Sequence, residues 1–386
     1  MSWKSIELAK VCEVFADGDW IESKDQSDIG IRLIQTGNVG FGIFKARDSK
    51  ARYINEETFK RLRCTEIKEG DLLVSRLPEP VGRACIIPQL VDKSITAVDC
   101  TIIRTKQEIL YSNYLNYYCQ SPQYFEQVKK NITGATRQRI SRSLLGKILI
   151  PLAPLPLQQK IVAKLDAIFA EIDTATATAE ANVNNAKQLF ESYLKNVFEN
   201  KSKKFESKKI NEISINLDSK RVPITKDLRT NGDVPYYGAS GIVDYVSDFL
   251  FEEDILLVSE DGANLLDRNY PIAFSVSGKS WVNNHAHVLK FENMISQKFV
   301  EFYLNSISLK PYVSGMAQPK LNQGMLNKIP IPFPNITIQK DLVNDFETMK
   351  ENRNILLNSY VKKNSELALL KNSILQKAFN GELVKD

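Results

Sequence analysis

Histidine is nearly missing from this 386-residue chain, which has two, and cysteine is scarce, with five. Cys12, Cys64, Cys85, Cys100 and Cys119 are odd in number, lie in the first third, and include no Cys-x-x-Cys pair. That argues against a disulfide framework or a zinc ribbon and for buried thiols in a reducing cytoplasm. No uncharged apolar run approaches the ~18 residues a membrane span needs. The first residues, Met-Ser-Trp-Lys-Ser-Ile-Glu, lack the basic-then-apolar pattern of a signal peptide. A cytoplasmic protein with no membrane partner is therefore expected. Neither sign of charge dominates: the net is +5, which permits nucleic-acid binding without demanding it.

Catalytic signatures are also missing. Ser-Gly-Lys-Ser at Ser277–Ser280 resembles part of a phosphate-binding loop, but the required first glycine is Ala273. No glycine fingerprint follows a strand and opens a helix, as a dinucleotide or methyl-donor site would need. There is no Asn-Pro-Pro-aromatic or Asp-Pro-Pro-aromatic loop. Asp19, Glu22 and Lys24 are a weak match to a nuclease cluster within one polar loop. His285 and His287 would share one face of a strand, with no cysteine or third histidine to complete a metal site. The expectation is a chain with no catalytic residue, no metal ligand and no directly bound cofactor.

What is present is a duplication. Gly134–Val162 (GATRQRISRSLLGKILIPLAPLPLQQKIV) aligns without a gap on Gly315–Val343 (GMAQPKLNQGMLNKIPIPFPNITIQKDLV) at an offset of 181 residues. The register persists to the end, where Leu194 and Phe198 fall on Leu375 and Phe379. Upstream the match loosens: Asp71–Ser75 resembles Asp254–Ser259, and Tyr114–Ser121 resembles Phe299–Ser306. Each half thus has a variable head and a matched tail, the pattern of one scaffold carrying two specificities.

The tails predict long helices. Ile161, Leu165, Ile168, Ile172, Ala175 and Ala179 follow 4-3 spacing, and Val183, Ala186, Phe190, Tyr193 and Val197 continue it after a stutter. The second stripe is interrupted by Arg353, Asn364 and Lys371. A helix over 157–199 would be roughly 60 Å long and could not bury its stripe on its own head. It either joins an ordinary bundle or, as preferred here, packs antiparallel on the second tail as a coiled coil, with the heads at opposite ends of a pseudo-twofold. Pro151, Pro154 and Pro156, and Pro330, Pro332 and Pro334, stiffen the boundary before each helix, and Gly381 is a C-terminal stop.

The heads read as mixed α/β. Leu72–Val74, Ala84–Ile87, Thr101–Ile103, Ile255–Val258 and His287–Leu289 suggest short strands. One shorter helix is expected in each head, over 111–130 and 296–310. The expected divisions are 1–153 for the first head, 154–200 for the central helix, 201–335 for the second head and 336–386 for the C-terminal helix. The lysine-rich Lys201–Lys209 is read as a solvated connector able to touch DNA phosphates.

This pattern, with Leu-x-Gln-Gln-Lys-Ile at a helix start, resembles the specificity subunits of type I restriction–modification systems. The likeness is carried by IPLAPLPLQQKIVAKLD and IPIPFPNITIQKDLV, by VPYYGASGIVDYV, ILLVSEDGANL and WVNNHAHVL in the second head, and by RLIQTGNVGFG and GDLLVSRLPEPVGRACII in the first. The second helix start departs, reading Ile-Gln-Lys-Asp. The resemblance implies a non-catalytic protein that reads double-stranded DNA. The two heads, which look like different classes of target-recognition domain, would read unlike half-sites separated by a spacer that the helices set. It further implies two methyltransferase subunits and two motor–endonuclease subunits as partners, with S-adenosylmethionine, ATP and Mg held by those partners.

In such a reading, phosphates are met by Lys and Arg, and base edges by Arg, Lys, Asn or Gln. The candidates in the first head are Arg32, Gln35, Thr36, Asn38, Arg76, Arg83, Arg137, Gln138 and Arg139. In the second they are Tyr236, Tyr237, Ser240, Asn264, Lys279, Asn283, Asn284, His285 and Lys320. Two other classes remain open at this level: a coiled-coil scaffold with no DNA role, and a fused restriction or modification enzyme.

Overall fold

The structure, a computed structural model, describes residues 3–315 and 317–384, and for residues 201 and 202 the backbone alone. Met316, within the second copy of the repeat, lies outside the described residues. The chain forms two compact units, one of residues 1–179 with 362–386 and one of residues 180–361.

The first unit contains β1 (Lys4–Glu7), β2 (Cys12–Asp17), β3 (Ile31–Ile34), β4 (Tyr53–Ile54), α1 (Glu56–Leu62), β5 (Leu72–Ser75), β6 (Ala84–Ile86), β7 (Ser94–Thr96) and β8 (Cys100–Thr105). It continues with α2 (Ser112–Tyr118), α3 (Pro122–Lys130), α4 (Arg142–Gly146), β9 (Leu149–Leu152) and the first part of α5 (Leu155–Asn196). One antiparallel sheet has the order β2-β8-β5-β6, a second has β4-β3-β7 with β3 and β7 parallel, and β1 pairs with β9. Strand β5 is apolar on both sides because both faces are covered: Leu72 and Val74 join the core beneath the helices, and Leu73 joins a second core with Ile34, Cys85 and Ile102.

The helix expected over 111–130 is two. Pro122 at the first turn and Ser121, whose Oγ accepts from the Tyr124 N–H at 3.2 Å, start α3 afresh.

The second unit repeats the plan. It contains β10 (Ser207–Lys209), α6 (Ile210–Ile213), β11 (Ser214–Asn216), β12 (Val234–Gly238), β13 (Gly241–Val246), β14 (Phe251–Glu252), β15 (Ile255–Ser259), α7 (Asn264–Asp267), β16 (Ala273–Val276), β17 (Lys279–Val282) and β18 (Ala286–Phe291). After them come α8 (Met294–Ser306), α9 (Gln323–Leu326), β19 (Pro330–Pro332) and α10 (Ile336–Phe379), of which residues 336–361 belong to this unit. The sheets run β11-β18-β15-β16 and β13-β12-β17-β14, β12 and β17 are parallel, and β10 pairs with β19. Heads of unlike sequence therefore share one strand order, except that the second head adds β14 at the edge of its second sheet. The end of the lysine-rich segment is β10, the counterpart of the N-terminal strand, and its ladder partner is the proline-rich strand.

Helices α5 and α10 span 42 and 44 residues. In the first unit Lys164 Nζ donates to Leu383 O at 2.9 Å, and farther along α5 Asp173 pairs with Lys371. In the second unit Phe190 lies under Arg353 at 4.7 Å, and farther along Tyr193 and Phe198 meet Phe346. Rising numbers on α5 meet falling numbers on α10, so the helices are antiparallel. Of the polar interruptions in the second stripe, Arg353 and Lys371 are thus matched by an α5 ring and an α5 carboxylate. Leu356, which the 181-residue register sets on Ala175 of the first stripe, is 42% exposed.

The glutamine of each helix start has a specific task. Gln158 is fully buried; its Nε2 donates to Ala153 O and Ile109 O, and its Oε1 accepts from the Tyr111 N–H at 2.9 Å. Gln339 donates to Pro334 O at 2.7 Å and accepts from Ser296 Oγ at 2.8 Å. One amide thus caps the proline turn and pins the helix to its head. At the other end Gly381 (φ +80°) lets Glu382 N–H reach Lys377 O at 2.9 Å, closing α10.

Candidate nucleic-acid interface

Each head carries one short finger, before α4 in the first and before α9 in the second, whose base is hydrogen-bonded just past the end of β5 or β15. In the first, Thr133 and Arg139 exchange backbone hydrogen bonds of 2.9 Å, and Ile140 N–H donates to Arg76 O. In the second, Ser314 and Lys320 exchange bonds of 2.9 and 2.8 Å, and Leu321 N–H donates to Glu260 O. Gly134 (φ +94°) and Gly315 (φ +82°) make the same turn; a Cβ would stand 2.4 Å from Arg137 O and 2.5 Å from Gln318 O, respectively. The first finger exposes Arg137, Gln138 and Arg139; the second exposes Ala317, Gln318 and Lys320. Arg137 is 3.4 Å from Asp99 yet 72% exposed, so the pair is weak and the guanidinium is available.

Beneath each finger lies an ionic cluster. In the first unit Asp17 accepts from Thr101 Oγ1 at 3.2 Å and stands 3.4 Å from the buried Arg76 and 3.9 Å from Arg142. In the second unit His287 is fully buried, with Nδ1 2.6 Å from Asp218 Oδ2 and Nε2 2.7 Å from Leu321 O. Both ring nitrogens face oxygens, which fixes the imidazole between the sheet and the finger. Glu260 takes Arg221 Nη1 at 2.6 Å and Lys320 Nζ at 3.1 Å. Burial disfavours the charged forms of Asp218 and Glu260, but His287 with the Val288 N–H and Asn216 outweighs it at Asp218, and Arg221, His287 and Lys320 outweigh it at Glu260, so both carboxyls are held below their usual range. Ligand-capable atoms of Asp218, Glu260 and His287 lie within 4.8 Å of one another, near enough to share a cation. Arg221 already pairs with both carboxylates and Lys320 with Glu260, so the chemistry present is an ion-pair cluster that ties the finger's base to the sheet.

The remaining first-head candidates divide sharply. Arg83, with 9% exposure, donates to the carbonyls of Val39, Leu77, Pro80 and Thr36. Asn38 is buried and donates to Lys45 O and Ala46 O, while Arg32 holds Ala46 O and Asp48. Arg76 is buried on Val98 O. These four brace loops from within. Gln35 and Thr36 instead line an open cleft of ≈ 530 Å³ with Gly37, Arg47, Lys50 and Arg52. The last three cations are absent from the sequence candidates, although the run KARDSKAR (45–52) displays them.

In the second head Tyr236 is buried, its hydroxyl accepting from Ile224 N–H at 3.0 Å, and Tyr237 packs near Phe274. Asn283 is buried and accepts from His285 N–H, and Asn264 clamps both backbone groups of Tyr270. Ser240, Asn284, Lys279 and His285 are exposed; Lys279 lies over Phe249 at 4.6 Å, and His285 Nδ1 is 2.8 Å from Asp261. The two histidines do not share a face, because β18 begins at Ala286 and leaves His285 in the preceding turn.

A family model for the type I restriction modification DNA specificity domain matches residues 1–184 and 202–372. The chain belongs to the type I restriction–modification DNA specificity family. A Haemophilus influenzae protein named as a type I restriction enzyme specificity subunit, S.HindORF215P, is 36% identical over 138 residues, 36% of this chain and 35% of that protein. The aligned part thus spans about a third of that relative's length. Two solved structures share the fold. One, from work on complex assembly and conformational transition of the type I R-M system, has a TM-score of 0.80 at 17% identity over 99% of this chain and 98% of that one. The HsdS subunit from Thermoanaerobacter tengcongensis has a TM-score of 0.62 at 18% identity over 99% and 97%.

Other chemistry suggested by short motifs in this specificity-family chain resolves into structure. Ser277 and Gly278 (φ +78°) form the turn between β16 and β17, and Lys279 and Ser280 open β17, so the segment starts no helix. Asp19 accepts from Thr65 N–H while Glu22 pairs with Lys24, so each carboxylate has a local partner. All five cysteines are free and buried, and burial pushes the thiols of Cys12, Cys64 and Cys85 up to about 12. Among the described residues no helix is long and apolar enough to cross a membrane.

Proposed function

We propose that this chain is the DNA-reading subunit of a type I restriction–modification complex. Each head reads one half of an asymmetric, bipartite double-stranded site, and the helices set the unread spacer. The observation that carries this is the pair of fingers: each is closed by the same backbone pairing and a positive-φ glycine, and they expose Arg137, Gln138 and Arg139 in one head and Gln318 and Lys320 in the other. Equal frames with unlike side chains suit two unlike half-sites. Of the sequence candidates, Arg137, Gln138, Arg139, Gln35 and Thr36 are the direct contacts in the first head. Lys320, Ser240, Lys279, Asn284 and His285 serve in the second. Arg32, Asn38, Arg76, Arg83, Tyr236, Asn264 and Asn283 act through the loops they hold, and Tyr237 supports the β12–β13 turn.

Two methyltransferase subunits docked on the helices and heads would supply S-adenosylmethionine chemistry at adenine, and two motor–endonuclease subunits would supply ATP- and Mg-dependent cleavage. Exposed Ile355 and Leu356 on α10, and separately Leu369 and Leu370, are apolar surface suited to such docking. Methylation mapping in cells carrying this chain with its methyltransferase tests the proposal. A split adenine motif with unlike halves is expected; a contiguous or symmetric motif, or methyl transfer by the purified chain alone, overturns it.

A further inference from the structure

The cleft of the first head has features that the fingers lack. Arg47, Lys50 and Arg52 are exposed on its rim, and among the described residues none of their side chains makes an ion pair or hydrogen bond. The one carboxylate in their segment, Asp48, is taken by Arg32 at 2.7 Å. Three uncompensated cations therefore surround a polar hollow of ≈ 530 Å³.

The hollow is also built to keep its shape. Arg83 fixes one wall through Thr36 O and Val39 O, Asn38 ties that wall to Lys45 O and Ala46 O, and Arg32 secures the opposite wall. Arg47 has left-handed backbone (φ +51°), and its guanidinium lies against Gly37, where a Cβ would stand 1.8 Å from its Nη1. Gly37 is thus the residue that lets this guanidinium lie across the loop. Converging unpaired cations on a braced frame suit an anion with several oxygens.

We propose that this cleft is a phosphodiester-binding notch that grips the DNA backbone beside the half-site read by the first head. It rests on the DNA-reading function above and adds the place and chemistry of an anchor. Gln35 and Thr36 face the same hollow and orient the sugar–phosphate strand. Because phosphates carry no base identity, the notch sets affinity and register, not sequence choice.

The test uses the full chain and labelled duplexes, one carrying the mapped site and one of unrelated sequence, with binding measured across a salt series. Each phosphate contact contributes about 0.9 to the slope of log K against log salt, so R47A/K50A/R52A should lower the slope by about 2.7. At 0.1 M salt that corresponds to a loss of up to about 500-fold on both duplexes. A Gly37→Ser variant, which displaces Arg47 without changing net charge, should lower the slope by about one, and R47K/R52K should retain most of it. These separate local contact from a general change in charge, and the exposure of Arg47, Lys50 and Arg52 keeps the cation variants folded.

An unchanged slope in the triple variant, with a steep slope in the wild type, overturns the notch alone. A loss confined to the duplex carrying the intact half-site assigns these residues to base reading and also overturns it. A wild-type slope near zero overturns the DNA-reading function and the notch with it.

Discussion

Arg83 decides whether buried cations in the first head read DNA or hold the reader. Its guanidinium makes four hydrogen bonds to carbonyls, at 2.8, 2.7, 3.2 and 2.8 Å, on segments that are distant in sequence. Arg83→Met keeps the aliphatic stem and removes every donor. At about 1 kcal/mol net per bond the ceiling is about 4 kcal/mol. Only the Val39 bond is wholly buried, so water replaces part of the rest, and a loss of about 2–4 kcal/mol in local stability follows. In hydrogen exchange this is a rise of roughly 30- to 700-fold at loop amides such as Val39 and Gly82, capped by global unfolding. DNA affinity should fall in parallel, because the cleft wall loosens. Arg137→Met is the contrast: it should weaken DNA binding and leave exchange in these loops within twofold. If Arg83→Met lost DNA binding with exchange unchanged, Arg83 would be a direct contact and the bracing argument would fail.

Three further outcomes follow from the same geometry. Asp218 and Glu260 have depressed carboxyl pKa values, so their contribution is complete above the unfolded values and lost as pH falls through the folded ones. Exchange protection at Val288, whose N–H donates to Asp218 at 2.8 Å, should therefore fall below about pH 4; a flat profile after correction for intrinsic rates would contradict this. Gln158→Ala strands the Tyr111 amide and two carbonyls and should cost about 2–4 kcal/mol in the first unit by urea unfolding, whereas Gln158→Glu should recover only the acceptor. Removing seven residues from α5 and their facing partners from α10 shortens the helical segment by about 10 Å, roughly three base pairs, and the methylated motif should lose a spacer of that size.

The tails were legible because their period is long and their burial one-sided: Ile161, Leu165, Ile172, Ala179, Ala186, Phe190 and Val197 all lie on the covered face. The central strands were legible as unbroken apolar runs because two cores cover them. The break between α2 and α3 is written in Ser121-Pro122, but the apolar pattern runs across it. The shared strand order of the heads was hidden, since pairing depends on contacts between segments whose sequences had diverged. Site residues were least legible. An arginine that donates to four carbonyls and one that points into solvent are the same letter, and only the fold separates Arg83 from Arg137. The cluster under the second finger was invisible for the same reason, as Asp218, Arg221, Glu260, His287 and Lys320 come from distant segments.

The first unit takes its last buried layer from residues near the far end of the chain: Leu375, Ala378 and Phe379 complete its core, with Phe379 against Tyr114 and Tyr118. The hydrophobic cores of the second unit take no described residue beyond Met349. On the ribosome, then, the half synthesised second is the first able to finish folding, while the earlier half waits with two tyrosines uncovered. A nascent chain stalled before Leu375 would carry one finished reader and one unfinished one, and the unfinished one is the older.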